Sequence, residues 1–294
     1  MKTRTALLLL LLLTVCLGAA AGEEDAEVLP FYPYTWTGSS VVRSYDSDTL
    51  KYTVEVAKYL KTRIYVTKVW MVSPGEQIKK ATSPWHEHLE LCETMAKTVD
   101  GAALVINGSG YVSPKFPWIP EDYPGESEDY YFTPLGSLTV TDGVLFRKLD
   151  GVAYYGLTLE ADGLHMYVGA DNDEVLSAQP TQTWSFYTRC PLIADHASIL
   201  DRDWDFANNK AIRTIIAKMD ANNYLILTVT SIHGLTLPEC TDFLLEAFDP
   251  EWAYDLDGGP STALLCRNYG KKTFKAVYGG TDKDADIMAF TELK

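Results

Sequence analysis

The densest group of reactive side chains lies late in the sequence, where two acidic residues run directly into a glycine turn, Asp255-Leu-Asp-Gly-Gly-Pro-Ser-Thr262. If the first residues end a strand, alternation places Asp255 and Asp257 on one face. The turn offers amides and hydroxyls that can cradle an anion, at Gly258, Gly259, Ser261 and Thr262. A carboxylic acid beside an anion cradle suits acid–base chemistry. The alternative is a tight turn in which the Asp side chains cap backbone amides.

Other polar residues could complete a site around this turn. Arg213, on a predicted strand with Thr214, carries the fork of donors that a phosphate accepts in pairs, although alone it could equally be a surface arginine. Asn107 and Gly108 follow a buried strand, and Asn107-Gly-Ser is also a glycosylation sequon. His233 ends another strand, where it could donate a proton, contact a phosphate or be structural.

Two segments look like metal sites but depart from the known patterns. Residues 86–90 lack a second histidine four positions after the first, so they do not form a zinc-protease motif. Residues 201–205 have alternating acids, but Phe206 occupies the glycine position of a calcium loop and Ile212 the glutamate position. We therefore expect no metal in the active site, with structural calcium near residues 201–205 as the remaining alternative. The Gly-x-Ser-x-Gly motif of serine hydrolases is also absent.

In their order along the chain, these motifs resemble the phosphodiester glycosidase family. The resemblance covers residues 54–290 and rests on Asn107-Gly108, Trp184-Ser-Phe186, Pro191-Leu-Ile193, Arg213-Thr214, Gly234-Leu-Thr-Leu237 and the turn at residues 255–262. The sequence departs from the family pattern after Asn107-Gly108, where the second aromatic residue is missing, and at three further positions. Asp255 replaces a common Asn, Pro260 replaces a third glycine and removes one amide from the turn, and His233 stands where many relatives carry an acid.

The resemblance implies hydrolysis of a sugar 1-phosphodiester, such as an N-acetylglucosamine 1-phosphodiester, by acid-assisted cleavage at the anomeric carbon. It implies no organic cofactor, and it makes Asp257, Asp255 and His233 the catalytic candidates. If burial raised its pKa, Asp257 would be the general acid; it could instead be the nucleophile. The substrate-binding candidates are Asn107, Gly108, Arg213, Thr214, Gly258, Gly259, Ser261 and Thr262.

Two other functions remain open. One is a non-catalytic glycan or cell-envelope binding module of the same fold, supported by the departures at Pro260 and His233. The aromatic residues Trp118, Tyr123, Tyr130 and Tyr131 also support it, because they could stack on sugar rings. Core packing would explain those aromatic residues equally well. The other is an esterase or phosphodiesterase that cuts the opposite side of phosphorus with a divalent metal.

The elements that would position these residues are mostly strands. Alternation predicts strands at residues 51–57, 63–72, 102–106, 138–140, 144–146, 153–159, 164–168, 212–218, 224–229, 252–256, 263–265, 273–277 and 287–290. Helices are predicted from an N-cap at Ser83 to Asp100 and over residues 237–248, and residues 113–134 form a long ordered loop. The pattern predicts one α+β domain with a mixed, largely antiparallel sheet core flanked by a few helices.

The N-terminus and the composition indicate an exported protein. Lys2 and Arg4 precede an apolar run and several small residues, which predicts a signal peptide over residues 1–22. An arm over residues 23–49 then leads into a domain over residues 50–294, with no membrane span after signal removal. The protein would be secreted, extracellular or in the cell envelope. The family resemblance, rather than the N-terminus, implies a carbohydrate or glycan phosphodiester as its partner.

Charge and cysteine content narrow the partners and the chemistry further. The formal net charge of −15 disfavours binding to nucleic acid. Outside the predicted signal peptide, four cysteines remain, at Cys92, Cys190, Cys240 and Cys266. Two disulfides and four buried thiols are equally compatible with this number.

Overall fold

Strands are the most abundant regular structure in the computed structural model, which describes residues 38–117, 119, 123–186, 189–230, 233–268 and 270–294. The predicted signal peptide and Trp118 lie outside these residues. The strands described are β1 Ser40–Asp46, β2 Leu50–Tyr59, β3 Thr62–Met71, β4 Ile78–Thr82, β5 Glu90–Leu91, β6 Ala102–Asn107, β7 Leu138–Thr141, β8 Val144–Lys148, β9 Tyr154–Glu160, β10 Gly163–Ala170, β11 Gln182–Ser185, β12 Pro191–Ala194, β13 Ala197–Ser198, β14 Arg213–Lys218, β15 Asn223–Val229, β16 Trp252–Asp255, β17 Ala263–Arg267, β18 Phe274–Gly279, β19 Lys283–Asp284 and β20 Asp286–Thr291. The α-helices described are α1 Pro74–Gln77, α2 Cys92–Ala96, α3 Asn172–Ser177 and α4 Leu237–Ala247.

Two large sheets carry the candidate site residues. The first has eight strands in the order β1-β2-β3-β15-β14-β16-β12-β13, and the second has five in the order β18-β17-β6-β20-β4. Strands β9 to β11 form a smaller three-stranded sheet. Neighbouring strands in all of these sheets run antiparallel. The predicted α+β class with a largely antiparallel sheet core is confirmed.

The main core lies between the two large sheets, where side chains of β2, β3, β14, β15 and β16 meet those of β6, β17 and β20. A second apolar cluster joins the other face of the eight-stranded sheet to α4, and a third joins the outer face of the five-stranded sheet to α2. Strand β6 is buried along its whole length because it lies within the five-stranded sheet, between β17 and β20. Its C-terminal residue, Asn107, therefore enters the space between the sheets.

The structure corrects the predicted helix from Ser83 to Asp100. Only Cys92–Ala96 is α-helical there, while Glu90–Leu91 pairs with β19. An N-cap side chain must accept a bond from a helix amide, but the Ser83 hydroxyl donates to the Ala285 carbonyl at 3.1 Å. Its contact with a distant segment thus outweighs the local helix signal.

Three further observations bear on the sequence predictions. Residues 40–46, placed in the irregular arm, form β1 and pair with β2. The four described cysteines are buried and free, so the thiol alternative applies to the structure. Among the described residues, no helix is both long and apolar enough to cross a membrane.

Helix α4 begins with a complete capping box. The Thr236 hydroxyl accepts from the Glu239 amide at 3.1 Å, and the Glu239 carboxylate accepts from the Thr236 amide at 2.9 Å. These bonds satisfy two amides that a helix start leaves without partners, and they lower the pKa of Glu239 against the opposing effect of its burial. The helix covers the face of the sheet that carries Arg213 and Asp255.

Replacing the capping hydroxyl should destabilise the protein measurably. We expect Thr236→Ala to reduce the free energy of unfolding by about 1 kcal/mol, because the Glu239 amide loses its acceptor. Urea unfolding followed by circular dichroism measures this change. Thr281→Ala, at an exposed position, should stay within about 0.5 kcal/mol of the unsubstituted protein. Equal effects of the two substitutions would contradict the capping role.

Candidate active site

The candidate site forms where β6, β14 and the loop after β16 meet, and the Asn107 carboxamide joins all three. Its nitrogen donates to the Asp257 carbonyl at 2.7 Å. Its oxygen accepts from the Thr214 hydroxyl at 2.7 Å and from the Ala263 amide at 3.1 Å. Since Asn107 is fully buried and these bonds occupy its side chain, the sequon is unsuited to carrying a glycan in this fold.

The residue after Asn107 must be glycine for a steric reason. A Cβ atom on Gly108 would lie 2.0 Å from Oδ1 of Asp286 and 3.0 Å from the Trp184 ring. The close approach also lets the Gly108 carbonyl accept from the Asp257 amide at 3.2 Å. Asn107 and Gly108 together hold the backbone of Asp257 against the end of β6.

Asp255 and Arg213 form a buried ion pair on the side of the sheet facing α4. Their closest atoms, Nη1 and Oδ2, are 3.4 Å apart, and both side chains are nearly inaccessible. The second terminal nitrogen of Arg213 donates to the carbonyls of Phe206 and Asn209, and the guanidinium lies 4.8 Å from the centre of the Phe206 ring. Desolvation raises the pKa of Asp255 to about 7, although the Arg213 charge opposes it.

Asp257 lies beyond the strand, in a different environment from Asp255. Strand β16 ends at Asp255, so the alternation expected to place both carboxyls on one face does not extend to Asp257. Asp257 is half-buried. Desolvation raises its pKa to about 7, against the opposing effects of the Ser261 hydroxyl and the Gly258 amide, while Asp286 adds to the increase. A carboxyl with this pKa is partly protonated at neutral pH.

The turn after Asp257 uses its own amides. The Gly258 amide donates to the Asp257 carboxylate at 2.8 Å. The amides of Gly259, Ser261 and Thr262 donate to the carbonyls of Ile212, Gly258 and Gly259. Gly259 has φ of +59°, a conformation that favours glycine. In this conformation the turn is tied internally, as in the capping alternative, and its amides are not directed at an external anion.

Two buried aspartates near the C-terminus also belong to this region, and the sequence analysis missed them. Asp286 pairs with Lys80 at 2.9 Å, and both side chains are inaccessible. Asp284 accepts from the Cys92 thiol at 2.8 Å, while its Oδ1 has no hydrogen-bond partner among the described residues. The alternating pattern Asp284-Ala-Asp286 after a lysine was the available signal, because alternate strand residues share a face.

The Ser261 hydroxyl acts on the carboxyls of Asp257 and Asp284, and burial is the largest cause of the raised pKa in both. The hydroxyl lowers the pKa of Asp257 and of Asp284, and it acts on Tyr111 in the same way. For Asp284 burial dominates, and the pKa lies well above its ordinary value, with Asp257 and Asp286 adding to the increase. Burial therefore favours the neutral form of Asp284, whose pKa the nearby charge of Asp257 also raises.

Of the remaining predicted residues, Thr214 belongs to this network and His233 does not. Thr214 joins it through Asn107, but His233 is exposed, and no hydrogen bond or ion pair among the described residues links it to the aspartates. His233 has φ of +71°, a strained conformation for a non-glycine residue.

The aromatic and calcium alternatives also have structural counterparts. Tyr123 and Tyr130 are buried in a small apolar cluster within the long loop, as core packing requires. At the alternative calcium segment, the Asp201 carboxylate pairs with Arg189 at 2.8 Å and accepts from the Asp203 amide at 3.0 Å.

The chain is similar in sequence to one known family and in structure to several solved proteins. The chain matches the phosphodiester glycosidase family model over residues 100–287. No curated protein sequence matches it. The structure is similar to the auto-inhibited catalytic domain of zebrafish N-acetylglucosamine-1-phosphodiester alpha-N-acetylglucosaminidase, with a TM-score of 0.61 and 16% identity over 87% of this chain and 88% of the other. It is also similar to a hypothetical protein from Synechocystis, with a TM-score of 0.52 and 12% identity over 86% of this chain and 64% of the other. At these identities the structural similarity establishes the fold alone.

The buried carboxyls should make stability depend on pH. A carboxyl whose pKa is higher in the folded than in the unfolded state favours folding at low pH, so stability falls as pH rises through the folded pKa. We expect Asp284→Asn to remove part of this fall, because asparagine stays neutral and can still accept from Cys92. Between pH 5 and pH 9, the free energy of unfolding should therefore fall by less in the variant than in the unsubstituted protein.

Urea unfolding at several pH values measures this difference. Asp282→Asn is the matched control, since Asp282 lies two residues away and is exposed. The control should keep the unsubstituted pH dependence. Identical curves for all three proteins would show that Asp284 is not held neutral by the fold.

Proposed function

The chain belongs to the phosphodiester glycosidase family, and from this premise we propose that it hydrolyses a sugar 1-phosphodiester at the anomeric carbon. The observation that carries the proposal is the half-buried Asp257, whose pKa of about 7 lets it hold a proton at neutral pH. The family match encloses all candidate residues, from Asn107 to Thr262.

Asp257 is the proposed general acid. The reaction breaks the bond between the sugar C1 and the bridging oxygen, and a proton donated to that oxygen makes the phosphomonoester a better leaving group. Asn107 and Gly108 hydrogen-bond to the backbone of Asp257, so the backbone position from which its carboxyl extends is fixed. Water then completes the hydrolysis at C1, giving the free sugar.

Asp255 and Arg213 support this acid from the buried side of the sheet. The charge of an ionised Asp257 contributes to the raised pKa of Asp255, so the two carboxyls resist ionising together. Direct binding of phosphate by Arg213 would require its guanidinium to leave the carbonyls of Phe206 and Asn209. We therefore assign Arg213 first to neutralising Asp255, with phosphate binding as a second role that its substitution tests.

The substrate and location follow the same family premise. An N-acetylglucosamine 1-phosphodiester is the proposed substrate class, carried by a glycan or cell-envelope polymer. Export rests on the basic residues Lys2 and Arg4 followed by an apolar run. The net charge of −15 supports a partner other than nucleic acid.

A glycan-binding module without turnover is the second candidate, and the internally bonded turn favours it. Every backbone amide of the turn donates a hydrogen bond within the protein, at Gly258, Gly259, Ser261 and Thr262, and Pro260 has no amide hydrogen. A phosphate would have to be bound by other groups or after a change in the turn. Binding of a sugar phosphodiester without product formation would establish this alternative.

Product analysis tests the proposal directly. Purified protein is incubated with a synthetic N-acetylglucosamine 1-phosphodiester in ¹⁸O-labelled water. We expect free sugar carrying the label and an unlabelled phosphomonoester, because cleavage occurs at C1. Asp257→Asn should reduce kcat/KM by about 10²- to 10⁴-fold, the range for loss of a general acid, while keeping an oxygen that can accept from Gly258.

Two controls make the result interpretable. Asp150→Asn alters an exposed aspartate outside the site and should retain full activity. Arg213→Ala should lower activity, and thermal unfolding shows how much of that loss comes from the buried partner left behind. Label in the phosphate, with sugar 1-phosphate as product, would replace the glycosidase assignment by phosphoester cleavage.

The pH profile separates an acid from a nucleophile at position 257. If Asp257 donates a proton, kcat/KM should fall about tenfold per pH unit above its pKa of about 7, because the acid form is lost. A nucleophilic carboxylate would give the opposite slope through the same region. Steady-state rates between pH 5 and pH 9 measure the profile. A rate that rises through pH 7 would contradict the acid role.

A further inference from the structure

Outside the candidate active site, the turn that joins β9 to β10 brings together three side chains that metals use as ligands. They are Glu160, Asp162 and His165, and we call them the hairpin cluster. One ligand atom from each lies within 4.8 Å of the other two. The segment Glu-Ala-Asp-Gly-Leu-His contains none of the residues proposed for phosphodiester hydrolysis.

The distances within the cluster are compatible with one small ion. The His165 Nε2 atom lies 2.7 Å from Asp162 Oδ1 and 3.9 Å from Glu160 Oε2. Two ligands that each bind zinc at roughly 2.0–2.2 Å are separated by at most about 4.4 Å. Small side-chain rotations would therefore let all three atoms reach a common ion, which would replace the hydrogen bond between His165 and Asp162.

Neighbouring hydroxyls hold Glu160 with one oxygen free. Its Oε1 accepts from the Thr158 hydroxyl at 2.7 Å and from the Tyr167 hydroxyl at 2.9 Å. These contacts leave Oε2 facing His165. Outer hydrogen bonds of this kind orient ligating carboxylates in metal sites.

The hairpin also fixes the relative positions of the ligands. Thr158 is paired with His165, and Glu160 with Gly163, in an antiparallel register. Because alternate residues share a face, Thr158, Glu160, His165 and Tyr167 lie on one side of the hairpin. Asp162 reaches the cluster from the turn itself. The fixed register holds these side chains close together without help from a distant segment.

We propose that Glu160, Asp162 and His165 bind one divalent transition metal of the zinc class at the β9–β10 hairpin. One imidazole and two carboxylates form a donor set that suits zinc better than calcium or magnesium, which prefer oxygen alone. The two carboxylates balance the charge of the ion. Lys218 also acts on Asp162, but its ammonium group pairs with Glu251 at 3.4 Å. The fourth position is left to water.

Calorimetric titration of the full chain with Zn²⁺ alone tests the proposal. We expect one saturable ion per chain and an increase in Tm, since an ion that binds only the folded state stabilises it. His165→Ala should weaken binding by at least about 100-fold. Glu160→Gln should weaken it substantially, and Tyr167→Phe by about 10-fold, because it removes only an outer hydrogen bond.

A second histidine provides a matched control. The exposed His196 has its Nδ1 atom 3.4 Å from Oδ1 of Asp249. Among the described residues, this pair belongs to no group of three metal-ligating side chains. His196→Ala should leave zinc affinity unchanged. The four buried thiols are rival ligands, so dependence on His165 is the decisive readout.

Each outcome of the titration either supports or overturns the proposed metal site. Binding lost in His165→Ala and Glu160→Gln but retained in His196→Ala supports the site. No saturable binding, binding unaffected by His165→Ala, or equal loss in His196→Ala overturns it, and the cluster is then a salt bridge only. Because none of these variants touches Asp257 or Asn107, hydrolysis and metal binding can fail independently.

Discussion

The arrangement of the candidate site depends on satisfying one buried carboxamide. Asn107 ends a strand that is covered on both faces, so its polar side chain must find partners within the protein. It finds three, from the loop after β16, from β14 and from β17. These bonds connect the two large sheets and place the backbone of Asp257 next to Gly108. An apolar residue at this position would leave the Thr214 hydroxyl and two backbone groups without their partners, so the same contacts that stabilise the fold position the candidate acid.

Four aspartates lie near the end of β6, and they differ in whether a cation compensates their burial. They are Asp255, Asp257, Asp284 and Asp286. Lys80 lies next to Asp286, and Arg213 next to Asp255. For Asp255 the contact is long, at 3.4 Å, and desolvation outweighs the attraction, so its pKa is still raised. Asp257 and Asp284 have hydrogen-bond donors but form no ion pair with any residue that the structure describes, and burial raises the pKa of both. The site is thus able to hold protons close to the end of β6 without a large concentration of negative charge.

The sequence predicted the parts of this structure that depend on local pattern. The hairpins at Asp142-Gly143 and Asp162-Gly163, the strands carrying Arg213 and Asp255, and helix α4 all follow from alternation, turn residues and caps. The family resemblance likewise identified Asn107 and Asp257 together. Prediction failed where distant segments decide the outcome. Ser83 binds the carbonyl of Ala285 instead of capping a helix. Asp284, whose pKa the charge of Asp257 raises, lies in a short strand that pairs with distant β5.

The turn at residues 258–262 shows why composition alone overestimates an anion site. Glycines and hydroxyls suggest amides that are free to bind an anion. Every amide of the turn nevertheless donates a hydrogen bond within the protein, and Pro260 has no amide hydrogen. These bonds stabilise the backbone that follows Asp257, and they also satisfy groups that would otherwise bind a phosphate. The catalytic potential of the region therefore lies in the protonation of Asp257 rather than in an amide cradle. In the proposed reaction, hydrolysis depends on an acid whose proton is retained by burial.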